Sequence, residues 1–122
     1  MTEIAEYLML NYYSHYKGDR KDVVPTPEVL EKGLANVQDK IVIIQDEKIK
    51  GVAVYATLSD ETYARLKELD ITRIDIVMRM LQEHGPNIHV MMLAADGMTT
   101  MLMMRDEMKR RLKPSTVSWW NP

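Results

Sequence analysis

Apolar positions along the chain switch between a helical period and a strand period, and the switches divide it into elements. Ile4, Leu8 and Tyr12 recur on one face, with Ala5, Met9 and Tyr16 beside them, which predicts a first helix from a Thr2 cap to about His15. Lys17 to Val24 is polar and mixed in charge, with Gly18-Asp19 breaking the helix, and reads as a solvated loop. Thr26-Pro27-Glu28 places a cap residue, a first-turn proline and an acid in register for a second helix. That helix is expected to run to about Val37, with Val29, Leu30, Leu34 and Val37 inward. Gly33 inside it implies close packing on a neighbour.

The period then changes to two. Ile41 to Ile44 is β-branched throughout, Asp46-Glu47 turns, and Ile49 to Thr57 returns, which predicts a hairpin. Val52 and Val54 share one face, Ala53 and Tyr55 the other. Both faces are mostly apolar, so the sheet should be covered on both sides. Gly51 suggests a bulge or a close backbone approach. Ser59 caps a third helix to about Leu69, with Tyr63, Leu66 and Leu69 inward. Thr72 and Asp75 form a capping-box-like pair for a fourth helix ending at His84, with Ile74, Val77, Met78 and Leu81 inward. Thr72, Ile74, Ile76 and Met78 also alternate as a strand would; the cap pair and the Gly85-Pro86 stop favour helix.

The stretch from Asn87 to Leu112 carries the only hint of chemistry. Ile88 to Ala95 is a short apolar run bounded by Gly85-Pro86 and Gly97, and reads as a buried strand. Asp96-Gly97 turns. Met98, Met101, Leu102, Met108 and Leu112 then mark the apolar face of a helix. A strand, a tight turn and a helix start leave backbone N–H groups aimed where an anion could sit. Lys113-Pro114 ends the helix, and Ser115 to Trp120 forms a last strand. Asp106 to Arg110 and Glu107 to Arg111 are favourable i,i+4 pairs, and Lys109, Arg110 and Arg111 complement the helix dipole.

Composition narrows the picture. The 122 residues fit one domain, with 46% hydrophobic and 28% charged side chains, enough for one core. A net charge of −2 argues against a general nucleic-acid binder. No apolar run approaches the ~20 residues that span a bilayer, and the acidic start Met-Thr-Glu-Ile-Ala-Glu is no signal peptide, so a cytoplasmic protein without a membrane partner is expected. The absence of cysteine excludes disulfides, thiolate metal sites and a cysteine nucleophile. His15, His84 and His89 are dispersed without a helical pair, so no metal is expected. Eleven methionines and no phenylalanine point to a Met-rich core or an adaptable apolar surface. Tyr12, Tyr13 and Tyr16 cluster as an amphipathic helix edge. No Gly-x-Ser-x-Gly, P-loop or Rossmann fingerprint occurs.

Three pieces of sequence carry a resemblance: Gly85-Pro86-Asn87-Ile88-His89, Ala94-Ala95-Asp96-Gly97, and Lys113-Pro114-Ser115-Thr116-Val117-Ser118-Trp119-Trp120. With the hairpin, they make the span from Lys40 to Pro122 resemble short phage- or prophage-encoded proteins with an acyl-CoA N-acyltransferase (GNAT)-like fold. The resemblance implies an α/β (α+β layered) domain over 1–122, with a mixed sheet, helices on both faces, and no C-terminal helix and hairpin of the full enzymes. It implies acetyl-CoA or another acyl-CoA as cofactor. Leu93, Ala94 and Ala95 would hold the pantetheine arm, and Gly97, Met98, Thr99 and Thr100 would face the pyrophosphate. The loop carries one glycine and no leading Arg or Gln, where the enzymes have Arg/Gln-x-x-Gly-x-Gly/Ala. The catalytic residues stay unassigned; Asp46, Glu47 and His89 are the available bases.

Two functions follow as expectations. One is transfer of an acyl group from acyl-CoA to an amine. The other is a non-enzymatic interaction or structural protein that keeps the scaffold and binds a protein partner. A third reading, an unrelated small α+β fold, stays open. Trp119-Trp120 on a last, uncovered strand further suggests pairing of Val117 to Trp120 with another chain, such as a second copy.

Overall fold

The computed structural model describes residues 2–15, 24–69, 73–112 and 116–119. The protein is an α+β fold built on one mixed sheet. Its strands are β1 (Ile41–Gln45), β2 (Ile49–Leu58), β3 (Asn87–Ala95) and β4 (Thr116–Trp119), in spatial order β1-β2-β3-β4. The first two pairings are antiparallel, and β4 lies parallel to β3. The helices are α1 (Thr2–Asn11), α2 (Pro27–Ala35), α3 (Asp60–Ala64), α4 (Ile74–Leu81) and α5 (Met98–Leu112).

Two cores sandwich the sheet, as the two-faced hairpin predicts. On one side α1, α2 and α4 bring Leu8, Leu30, Leu34 and Leu81 against Val52, Val54, Ala56 and Met92. On the other, α5 brings Met104 and Met108 against Val42, Ala53, Tyr55, Ile88 and Val90. Each fully buried Leu or Met is worth about 2 kcal/mol in desolvation, so the larger core supplies most of the cohesion. Gly33 sits where α2 meets α4, and a Cβ there would stand 2.6 Å from the Met78 thioether. That is the close packing expected at this glycine.

Helix lengths are where the sequence expectation and the structure part. The first helix becomes a 3-10 turn at Tyr13–His15. There the Tyr12 and Tyr13 hydroxyls both reach β3, at the Met91 carbonyl (3.4 Å) and the Met92 sulfur (3.8 Å). The second helix stops at Ala35, and Val29, expected inward, is 50% exposed. Thr26 does cap it, accepting from the Val29 N–H. The third helix holds only five residues, Asp60–Ala64, before a 3-10 turn at Leu66–Glu68, and Tyr63, Leu66 and Leu69, expected inward, are half-buried. The fourth is shorter at both ends. Arg73 occupies its cap without a side-chain bond, and Thr72 lies outside the described residues. The strand alternative for this segment is not adopted.

The α5 face is corrected by a partial turn of the helix. Thr100, Met104 and Met108 are buried, whereas Met98 and Leu102, expected inward, stand 67% and 42% exposed. Gly51 fixes this phase, since a Cβ there would lie 2.7 Å from the Thr100 methyl and 3.2 Å from Met104. Of the two expected ion pairs, Glu107 meets both Arg111 (2.9 Å) and Arg110 (2.5 Å), while Asp106 turns to Arg105. Lys113-Pro114 and Trp120 lie outside the described residues, as do Tyr16 and nearly all of the predicted Lys17–Val24 loop.

Candidate functional site

The site is built by an irregularity in β3. Val54 pairs with Met92 but Tyr55 with Val90, so Met91 is an extra residue on β3. A bulge of this kind bends a strand and swaps its faces. Before it, Ile88 and Val90 face α5; beyond it, Met92 and Ala94 face the opposite core. Among the described residues, β4 pairs only with Asn87–Val90, the half before the bulge. Among the described residues, the half from Met91 to Ala95 has β2 as its strand partner, with the Tyr12 hydroxyl on the Met91 carbonyl, and it runs directly into the turn before α5.

The turn itself is tied down. The Asp96 N–H donates to the Lys50 carbonyl at 2.9 Å, and the Met101 N–H donates to the Gly97 carbonyl at 3.2 Å, starting α5. The Asp96 carboxylate accepts the Thr100 hydroxyl. Tyr7 reaches across from α1, and its hydroxyl donates to the same Lys50 carbonyl at 2.8 Å. Burial, and then the Asp96 charge, push the Tyr7 phenol above its ordinary value, so it stays protonated.

A crevice of about 470 Å³ opens at this turn. Gly97, Met98, Thr99 and Thr100 line it, joined by Ile44, Asp46, Lys50 and Met103 from the hairpin and α5. The structure therefore brings together four of the seven residues predicted to hold a cofactor. Leu93, Ala94 and Ala95 are on the strand leading to the crevice and are not in its lining; Ala94 is buried, with Leu93 and Ala95 half-buried. Thr100 is 5% exposed, with its methyl on Gly51 and its hydroxyl on Asp96, so it supports the turn rather than facing the opening. Nothing stands within 4 Å of where a Gly97 Cβ would be, so the backbone there is open to approach.

The charges were not legible in the sequence. Asp46 reads as part of the hairpin turn and Lys50 falls within the returning strand, yet the bond from Asp96 to Lys50 brings them beside α5. They form a 2.8 Å ion pair. That bond raises the Lys50 amine and lowers the Asp46 carboxyl relative to their ordinary values. The crevice thus has two carboxylates and one ammonium already committed to one of them. A neighbouring groove of about 610 Å³ between α1 and the hairpin shares Asp96 and adds Glu3, Glu6 and Glu47.

The remaining candidates lie elsewhere. His89 sits before the bulge opposite Ala56, 5% exposed, and burial lowers its pKa so that the ring is neutral. His84 is exposed, and the His15 side chain is outside the described residues. Among the described residues no three His, Asp or Glu side chains gather as a metal site, and no helix is long and apolar enough to cross a membrane.

The acidic limb of stability should follow three carboxyls whose values are lowered in the fold. The Arg110 and then Arg111 side chains hold Glu107 at about 2. Lys50 lowers Asp46. Burial acts to raise Glu83, but hydrogen bonds from the Ser59 N–H and from the Thr62 and Ser59 side chains outweigh it. A carboxyl lowered on folding contributes its stability above the unfolded value of about 4 and loses it as the pH falls toward the folded one. Urea melts should weaken progressively from about pH 4 to about pH 2, and Glu107→Gln should flatten that slope. Because the Glu107 and Asp46 ion pairs are partly exposed, high salt should flatten it too. Comparison of the chain with protein-family models, with curated proteins and with solved structures returns no match.

Proposed function

We propose that the chain is an N-acyltransferase-like domain that binds an acyl-CoA thioester along β3 and transfers its acyl group to an amine. The observation that carries this reading is the bulged strand whose second half, among the described residues, is strand-paired on one side and runs into a helix N-terminus. An extended arm carrying amides can hydrogen-bond to such an edge as a further strand would. The same arm would deliver its phosphates to Gly97, Met98 and Thr99, where the helix start favours anions. The neutral amine would attack the thioester carbonyl directly, forming the C–N bond as the C–S bond breaks, and the proton lost from the amine would pass to the departing CoA thiolate.

A second reading has its own support. A diphosphate at Gly97 would meet Asp46 and Asp96, while Lys50 is already paired. Like charges lining one crevice disfavour an anion there. The acidity favours a domain that keeps the scaffold and acts by binding protein.

Calorimetry and thermal shift with CoA and acetyl-CoA separate the two. Under the first reading, ligand at about 100 times its dissociation constant adds about 2.7 kcal/mol of stability. No heat and no shift at millimolar CoA would select the second. Gly97→Ala sharpens the test. The space is open and no left-handed φ is required, so alanine should be neutral or stabilise by about 0.5 kcal/mol. If phosphate rests on this backbone, the same methyl should weaken CoA about tenfold or more, a loss of at least ~1.4 kcal/mol.

A further inference from the structure

Charge and apolar surface are segregated on this molecule, and the two segregated surfaces complement one another. The outward side of α5 exposes Met98, Leu102 and Met103, at 67%, 42% and 50%. On the same outward side stand Arg105, Lys109 and Arg110, all exposed. Two acids share the stretch: Asp106, beside Arg105, and Glu107, held by Arg110 and Arg111, which leaves the helix end net positive. The large groove on the far side of the hairpin has the opposite character. Glu3, Glu6, Glu47 and Asp96 line it against a single Lys48, and Leu10, 74% exposed, supplies its apolar contact. The two surfaces belong to opposite layers of the sheet, α5 covering one face and α1 the other. A molecule therefore cannot satisfy one with the other.

We propose that the outward face of α5 docks into the acidic groove of a second copy of this chain. Leu102 and Met103 would pack against Leu10, and Arg105 and Lys109 would meet Glu3 and Glu6. Complementary potentials of this kind steer association and fix its orientation, and the apolar centre supplies the desolvation. The contact joins unlike surfaces, so each copy has one of each to offer. The inference does not rest on acyl-CoA binding, although Met98 and Met103 also line the crevice, so a docked copy would cover its mouth.

Sedimentation of the purified chain at millimolar concentration tests it. In low salt the wild type should associate, and in high salt the association constant should fall by about tenfold or more. The variants Arg105→Glu/Lys109→Glu and Glu3→Lys/Glu6→Lys should each sediment as monomers. All four positions are exposed, so an unchanged circular dichroism spectrum is expected of both. An equimolar mixture of the two should regain a complex, because the first keeps its groove, the second keeps its helix face, and the reversed faces complement each other. A wild type that stays monomeric in low salt overturns the proposal. So does association that survives both charge reversals, or a mixture of the variants that stays monomeric. Binding of CoA is read separately by calorimetry, so failure of either idea leaves the other distinguishable.

Discussion

Gly85→Ala should unfold the protein by about 10 °C or more in a thermal melt, a loss of about 3 kcal/mol or greater. A Cβ at Gly85 would stand 2.2 Å from the carbonyl carbon and oxygen of Leu58 and 2.4 Å from the Ser59 nitrogen. These are backbone atoms, and they have nowhere to go. The Asn87 side chain donates to the Leu58 carbonyl, the Ser59 N–H donates to Glu83, and Ser59 caps α3 by accepting from the Thr62 N–H. The peptide joining β2 to α3 is thus gripped from both sides. Relieving the clash requires moving it by about 1 Å, which breaks these bonds or pulls β3 away from β2. Gly97→Ala is the natural control, since it deletes the same kind of residue at the other end of β3 and should cost nothing. Urea denaturation of the two variants side by side measures the contrast. A Gly85→Ala protein as stable as the wild type would show that this packing is wrong.

That contrast also marks what could be read from the residues alone. Gly85-Pro86 and Asp96-Gly97 both announce turns, and both turns exist. Nothing local says that one glycine lies against backbone and the other in the open, because the Leu58–Ser59 peptide that decides it is 27 residues away. The hairpin and the strand–turn–helix unit were legible, since β-branched runs and turn residues act locally. The phase of α5 was not. Met98, Met101, Leu102, Met103 and Met104 are all apolar, and so wide a stripe fits more than one rotation of the helix. The absent side chain of Gly51 selects one, by admitting Thr100 and Met104. The bulge at Met91 was silent for a related reason. Ile88 and Val90 to Ala95 are uniformly apolar, so a change of face leaves no break in pattern. Asp46 and Lys50 could not be placed at the crevice because the register of β2 against β3, extended by the Asp96–Lys50 backbone bond, brings them there.

Lys40 makes a final case of a residue whose role no pattern announces. It ends the 3-10 turn before β1 and is 4% exposed, and its ammonium donates to the carbonyls of Leu81 and Glu83 at 2.5 and 2.7 Å. Leu81 is the last residue of α4, where helix carbonyls lack partners of their own. Thr57 can still serve the Glu83 carbonyl at 3.1 Å, whereas the Leu81 carbonyl takes its side-chain bond from Lys40. Lys40→Met keeps the length and the apolar stem and removes both bonds, so it should destabilise by about 2–3 kcal/mol. Alkaline pH should act in the opposite direction. Burial lowers the Lys40 amine below its ordinary value, with Asp39 and Glu83 opposing. The unfolded chain then binds this proton more tightly than the fold does, so stability should rise with pH between the lowered value and about 10.4. A neutral amine still has two N–H groups, enough for two carbonyls, and losing its charge need not release them. Denaturant melts of the wild type and of Lys40→Met over this range should therefore converge in neither sign nor slope: the wild type gains from this residue, while the methionine variant lacks the gain. A wild type that loses stability through this same group would mean that the ammonium charge, not the donors, holds α4 to β1.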